Sequence, residues 1–156
     1  MKYSQINSEL FVQNRANFIK QLKPCSLAVF NSNDVMPTNA DGTMAFRQNN
    51  DIFYLSGVDQ EESILLLYPD AKDARMKEVL FVRETNDHIL TWEGYKLTKK
   101  QAEEVSGNKT IFWTHEFKSV FNSLMAEAEN VYLNSNERSR PTANRQETHF
   151  QYGQHY

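Results

Sequence analysis

The sequence predicts an α/β domain built on a mixed β-sheet covered by helices. Three observations carry that prediction. Short apolar runs of strand length, Ser26 to Phe30, Ser63 to Tyr68, Glu78 to Val82, Thr110 to Trp113 and Val131 to Leu133, alternate with stretches of helical spacing. No period of about 20 to 50 residues repeats, which excludes a solenoid. A chain of 156 residues, 40% hydrophobic and 24% charged, has the composition of one ordinary globular domain. At that length it can bury roughly two thirds of its unfolded surface, so a self-standing core is expected.

Taken in order, Ser8 is the expected N-cap of a first helix, with Phe11, Phe18, Ile19 and Leu22 on its apolar face and Pro24 ending the run. The strand Ser26 to Phe30 stops at the turn formers Asn31, Ser32, Asn33 and Asp34. Periodicity vanishes from Val35 to Ala45, where Pro37, Asn39, Asp41 and Gly42 favour irregular backbone, and a loop of that length is usually functional or mobile. After a short helical turn, two strands are joined by the charged link Pro69 to Lys77. Asp87 to Trp92 is the sixth strand candidate, with Ile89 and Leu90 partly buried and Gly94 breaking it.

Thr98 to Gln101 has the form of a capping box and opens a helix to about Val105, stopped by Gly107. Glu116 to Glu129 places Phe117, Val120, Phe121, Leu124 and Met125 on one helical face, with Asn130 as terminator. From Ser135 onward polar and charged residues dominate, so the expected division is a domain at 8–135 and a polar tail or linker at 136–156.

A formal net charge of -3 argues against a nucleic-acid binder, which needs a concentrated basic surface. No run approaches the roughly 18 apolar residues of a membrane span. The single cysteine, Cys25, allows no intrachain disulfide, and without an N-terminal apolar leader a cytoplasmic location is expected. Cys25 follows Pro24 and precedes an apolar run, so it is expected to be a buried, inert thiol.

The stretch around which the chain is organised runs from Phe46 to Gly57, FRQNNDIFYLSG. Two Asn and Asp51 suit a helix start, Gly57 suits a stop, and Ile52, Phe53 and Leu55 are expected to turn toward a core. Arg47 and Gln48 are expected to stay near a polar cleft, Arg47 fixing the preceding loop or meeting another domain through bidentate hydrogen bonds. Phe53 and Tyr54 read as core rather than as a ligand platform. Trp92 admits two readings, half-buried against the sheet or projecting from the turn at Glu93 and Gly94.

The histidines, His88, His115, His149 and His155, have no ligand-like spacing, and the acid pairs Glu61–Glu62 and Glu103–Glu104 read as solvated. There is no G-x-S-x-G, H-E-x-x-H or P-loop, and no nucleophile paired with a base. Taken alone, these residues predict no hydrolysis.

Phe46 to Gly57 resembles the (F/Y)-R-Q-x-x-D-F-x-Y-L-(S/T)-G signature in the N-terminal domain of Xaa-Pro aminopeptidases (aminopeptidase P), a group related to prolidase and creatinase. Val79 to Arg83, and Thr91 to Leu97 in place of that family's W-x-G-x-x-L, follow in the same order, so the resemblance covers about residues 8 to 135. It implies the creatinase/prolidase N-terminal fold, ribonuclease H-like, a mixed sheet of about six strands with helices on both sides. It implies a parent that removes the first residue from peptides with proline second, using two divalent metal ions, expected to be manganese. Those ions and the catalytic residues belong in the family to a C-terminal pita-bread domain, so none is expected in these residues.

The same resemblance implies that Trp92 lines the substrate cleft of a neighbouring subunit in a homodimer or higher oligomer, with Asp41 a second candidate for that role. It leaves Arg47, Gln48, Asp51, Tyr54 and Gly57 as structural or interdomain residues. A prolidase or creatinase parent, or a metal-free binding relative such as a histone-chaperone subunit, shares this architecture.

Overall fold

The computed structural model describes residues 6–39, 42–85 and 96–134. Within them the five apolar runs form one sheet. β1 (Ser26–Asn31), β2 (Ile64–Leu67), β3 (Glu78–Val82), β4 (Thr110–Trp113) and β5 (Asn130–Leu133) stand in the order β4-β3-β2-β1-β5. β2 is antiparallel to both β1 and β3, whereas β4 runs parallel to β3 and β5 parallel to β1, so the sheet is mixed as expected. The charged link between β2 and β3 is a hairpin connection containing a 3-10 turn at Ala74–Met76. The sixth strand expected at Asp87 to Trp92, and the tail expected at 136–156, lie outside the described residues.

Alternation along the strands divides the core between two faces. Ala28 and Phe30 of β1, Leu65 and Leu67 of β2, and Leu80 and Val82 of β3 join Ile52, Leu55, Val58 and Ala102. That face is covered by α1 (Ser8–Ile19), α2 (Asn50–Ser56) and α3 (Lys99–Ser106). Their neighbours Leu27, Val29, Leu66, Val79 and Phe81 point the other way, onto Leu124 and the partly buried Phe117, Val120 and Phe121 of α4 (Phe117–Met125). Phe81 meets Phe117 edge-on at 5.3 Å, so the second face is closed largely by aromatic contact.

Several boundaries differ from the sequence reading, each for a local reason. Asn7, not Ser8, caps α1, because its amide oxygen accepts the Glu9 N–H at 2.9 Å and leaves Ser8 as the first helical residue. α4 ends at Met125 rather than Glu129. The chain there turns on the Leu124 carbonyl, and the Cys25 carbonyl then accepts the Glu129 and Asn130 N–H groups, starting β5 beside β1.

That junction also explains Cys25, which is half-buried rather than buried and has φ 53°. Its backbone N–H is taken by Asp70 at 2.7 Å while its carbonyl serves the incoming strand, so main-chain bonding fixes this left-handed residue. Within the stretch expected to be irregular, a bridge between Pro37 and Thr43 and a Met44 N–H to Met36 carbonyl bond of 2.8 Å make a small hairpin. The capping box at Thr98 and Gln101 and the left-handed stop at Gly107 are as predicted.

Candidate functional site

The signature stretch folds as α2 with both ends closed by its own residues. Asn49 accepts the Asp51 N–H at 2.9 Å, and Gly57, at φ 69°, donates its N–H to the Phe53 carbonyl at 2.8 Å. Asp51 is exposed in the first turn, where a negative charge suits the helix N-terminus. Ile52 and Leu55 are buried, and Phe53 packs edge-on against Phe11 at 6.3 Å.

Two expectations for this stretch are corrected. Gln48 does not face a polar cleft: its side chain turns under the helix, donating to the Val58 and Gln60 carbonyls at 3.0 and 2.9 Å and accepting the Asn49 N–H at 2.8 Å. Its three bonds tie the entrance of α2 to the chain that leaves it. Tyr54 is not a core residue, since its helical position turns it outward and it is 58% exposed.

Beneath α2 lies a residue the sequence reading passed over. Arg15 of α1 is fully buried, and its Nη1 donates to the carbonyls of Leu55 and Ser106 at 2.8 and 2.9 Å, at the C-terminal ends of α2 and α3. Its Nε reaches Glu78 Oε2 at 2.7 Å, at the start of β3. A cation suits two helix C-termini whose terminal carbonyls have no helical partner. Next to it, Asn14 Nδ2 donates to the Tyr54 carbonyl at 2.8 Å. The signal was present in the sequence: Arg15 stands four residues from both Phe11 and Ile19, on the apolar face.

A second polar cluster sits where β3 ends and α3 begins. Glu61 Oε1 lies 3.8 Å from Arg83 Nη1 and also takes a hydrogen bond from Lys96 Nζ, while Glu62 lies 3.2 Å from the same Arg83 nitrogen. The Glu61 and Lys96 side chains are 14% and 12% exposed. Reading Glu61 as solvated is therefore wrong; Glu61 and Glu62 lie in a turn, where adjacent acids converge on one arginine. Beside them the buried Gln60 accepts the Leu97 N–H through Oε1 at 2.8 Å.

Burial pushes the Glu61 carboxyl up, but the hydrogen bond from Lys96, its own main-chain bond and the charges of Lys96 and Arg83 outweigh it, leaving it below the ordinary 4.5. A folded-state value below the unfolded one means that the ionised cluster stabilises the fold above that pH and ceases to do so as pH falls through the lowered value. The difference in thermal midpoint between the native chain and Glu61→Gln is expected to hold steady down to the ordinary 4.5 and shrink below it. Melts of both proteins across that range check this; a difference that grows on acidification would contradict it.

Arg47 is exposed at the surface, and its carbonyl accepts Asn33 Nδ2 at 3.0 Å, tying the signature to the preceding loop. It borders a depression of ≈ 570 Å³ also lined by Asp34, Met36, Met44 and Phe46. Asp41 and Trp92, the residues expected to reach a neighbouring cleft, lie outside the described residues, as do His88, His149 and His155. His115 Nδ1 is 3.3 Å from Glu84 on an exposed surface. Among the described residues no group of three His, Cys, Asp or Glu side chains could hold a metal ion, so the donor set does not fit the divalent ions that the resemblance implies. No described helix is long and apolar enough to cross a membrane.

The family model "Aminopeptidase P, N-terminal domain" matches residues 11–132. The Xaa-Pro aminopeptidase of Escherichia coli is 29% identical over 104 residues, covering 67% of this chain and 23% of that protein. The Xaa-Pro aminopeptidase of Haemophilus influenzae is 24% identical over 129 residues, covering 83% and 30%. Among solved structures, Escherichia coli aminopeptidase P superposes with a TM-score of 0.76 at 26% identity, over 87% of this chain and 31% of that one. Pseudomonas aeruginosa aminopeptidase PepP gives 0.77 at 23%, over 86% and 30%. The chain thus spans less than a third of the length of these relatives.

Proposed function

Since this chain belongs to the aminopeptidase P N-terminal domain family, we propose that it is the non-catalytic first domain of an Xaa-Pro aminopeptidase. In this reading the longer polypeptide removes the N-terminal residue from peptides with proline second. Its catalytic residues and divalent metal ions belong to a C-terminal domain, and these residues serve oligomer assembly and the shaping of the substrate cleft. The observation that carries the reading is the family match over residues 11–132, which begins within α1 and ends within β5. The signature supports it in a specific way. Its Gln48 and Asn49 side chains hold α2 in place, as a structural role for the signature requires.

Trp92 and Asp41 are the residues this reading places at a neighbouring subunit's cleft, with Arg47 at the interdomain surface. A wall residue acts on binding and orientation rather than on bond breaking. Trp92→Ala in the full-length polypeptide is therefore expected to lower kcat/KM for an X-Pro-X peptide by about tenfold, close to 1.4 kcal/mol. With manganese added, the 156-residue chain alone is expected to release no residue above a buffer blank. Release by this chain alone would overturn the non-catalytic assignment. A full-length protein that cleaves only X-Pro dipeptides would move the parent to the prolidases.

A further inference from the structure

We propose that the outer edge of β5 is a docking strip, onto which an extended apolar segment from the C-terminal part of the parent polypeptide adds as a further strand. The inference rests on the proposed function for the existence of that C-terminal part and names where on this domain it attaches.

β5 is one of the two edges of the sheet. The Asn130 and Asn134 N–H groups bond to the carbonyls of Cys25 and Val29, each at 3.3 Å. Alternation then turns the main chain of residues 130, 132 and 134 toward β1 and leaves the N–H and C=O of Val131 and Leu133 along the outer edge. No strand pairs with that edge among the described residues.

The side chains are open on both faces. Register sets Val131 and Leu133 beside Leu27 and Val29, on the α4 face, and Tyr132 beside Ala28, on the opposite one. Val131, Tyr132 and Leu133 are 43%, 38% and 68% exposed, whereas Leu27, Ala28 and Val29 are buried. Both helical layers therefore cover β1 and leave β5 bare. Three consecutive apolar residues on a bare edge, with no charge, proline or bulge among them, form a surface ready to pair with another strand.

The opposite edge, β4, is guarded. There Glu116 accepts the Trp113 N–H at 2.8 Å, and Lys99 Nζ stands 4.8 Å from the centre of the Trp113 ring. The bare strip is thus particular to β5.

Size and connectivity point to the occupant. Two open residues per copy would bury far less than the roughly 1,200 Å² of a stable interface between separate molecules. A segment of the same polypeptide is held at high effective concentration and needs no such area. This chain spans less than a third of the length of its relatives, which leaves polypeptide enough to supply the strand. Strand addition takes its affinity from main-chain bonds and its selectivity from alternate side chains, and the strip offers both.

The test compares amide hydrogen exchange in the 156-residue chain and in the full-length polypeptide, read by mass spectrometry on fragments spanning residues 130–134. The Val131 and Leu133 amides are expected to exchange about tenfold more slowly in the full-length protein. Leu133→Asp should leave the thermal midpoint of the 156-residue chain unchanged, because that side chain already meets solvent, and should abolish the added protection in the full-length protein. Equal exchange in the two proteins would overturn the proposal. So would protection in the 156-residue chain that rises with its concentration, which would assign the edge to a second copy. The same full-length sample is assayed on an X-Pro-X peptide. Protection without cleavage removes the proposed function and leaves the docking strip, and cleavage without protection does the reverse.

Discussion

Gly57→Ala is expected to destabilise the domain by about 3 kcal/mol, the sum of a backbone and a packing effect. The residue sits at φ 69°, where an L side chain costs roughly 1–2 kcal/mol. Its added Cβ would also stand 2.8 Å from Phe11 Cδ2 and nearer still to two other atoms of that ring. Phe11 is 3% exposed and packed edge-on against Phe53, so the ring has no open side to retreat into. Overpacking of that kind costs about 1–3 kcal/mol.

At roughly 2–4 °C per kcal/mol for a domain of this size, the melting temperature should fall by about 10 °C. Gly107→Ala is the control. It has the same left-handed backbone, φ 71°, but its Cβ would meet Val12 Cγ2 at 2.7 Å, the tip of a side chain 43% exposed that can swing aside. Its loss should be confined to the backbone effect, about 1–2 kcal/mol. Equal losses at the two glycines in thermal melts would refute the steric part of the argument.

The same two glycines show what could be read from the sequence and what could not. A Gly after an apolar helical run marks a stop, and the caps at Asn49 and Thr98 were legible from side-chain chemistry within a few residues. The central strands β1, β2 and β3 were legible because both their faces are covered, so they appear as unbroken apolar runs. The ring that crowds Gly57 was not legible, since Phe11 lies far off in sequence.

The polar contacts failed in the same way. Gln60 and Glu61 look like ordinary surface residues because their partners, Leu97, and Lys96 with Arg83, are distant along the chain. Arg15, although its spacing sets it on the apolar face, has acceptors at Leu55 and Ser106 that are equally distant. Tyr54 was misassigned for the opposite reason. A large aromatic next to apolar residues suggests burial, but a helical turn of seven residues must send some of them outward. For Asp41 the family resemblance spoke, and for Trp92 it spoke beside the turn formers Glu93 and Gly94 that follow it.

Arg15→Met is the second large effect expected, again about 3 kcal/mol or a drop near 10 °C. Replacing a buried ion pair with apolar residues can be neutral when both partners are removed together. That escape is closed here, because two of the three acceptors are main-chain carbonyls, at Leu55 and Ser106, which no substitution can delete. Methionine would fill much of the volume yet leave the ends of α2 and α3 buried without a donor, and Glu78 without its cation. Nη2 of Arg15 is itself buried with no partner among the described residues, so the native site already carries one unmet donor and the loss falls toward the lower end for a broken buried network.

Glu78→Gln separates the contributions. The Glu78 side chain is 32% exposed and can turn to water, so this variant should lose only about 1 kcal/mol while both helix ends stay held. Arg15→Lys should fall between them, since one ammonium cannot reproduce a planar fork that serves two helix ends and a carboxylate at once. If chemical denaturation ranks Glu78→Gln as costly as Arg15→Met, the ion pair holds this layer together. If Arg15→Met is clearly the worse, the helix-end carbonyls do.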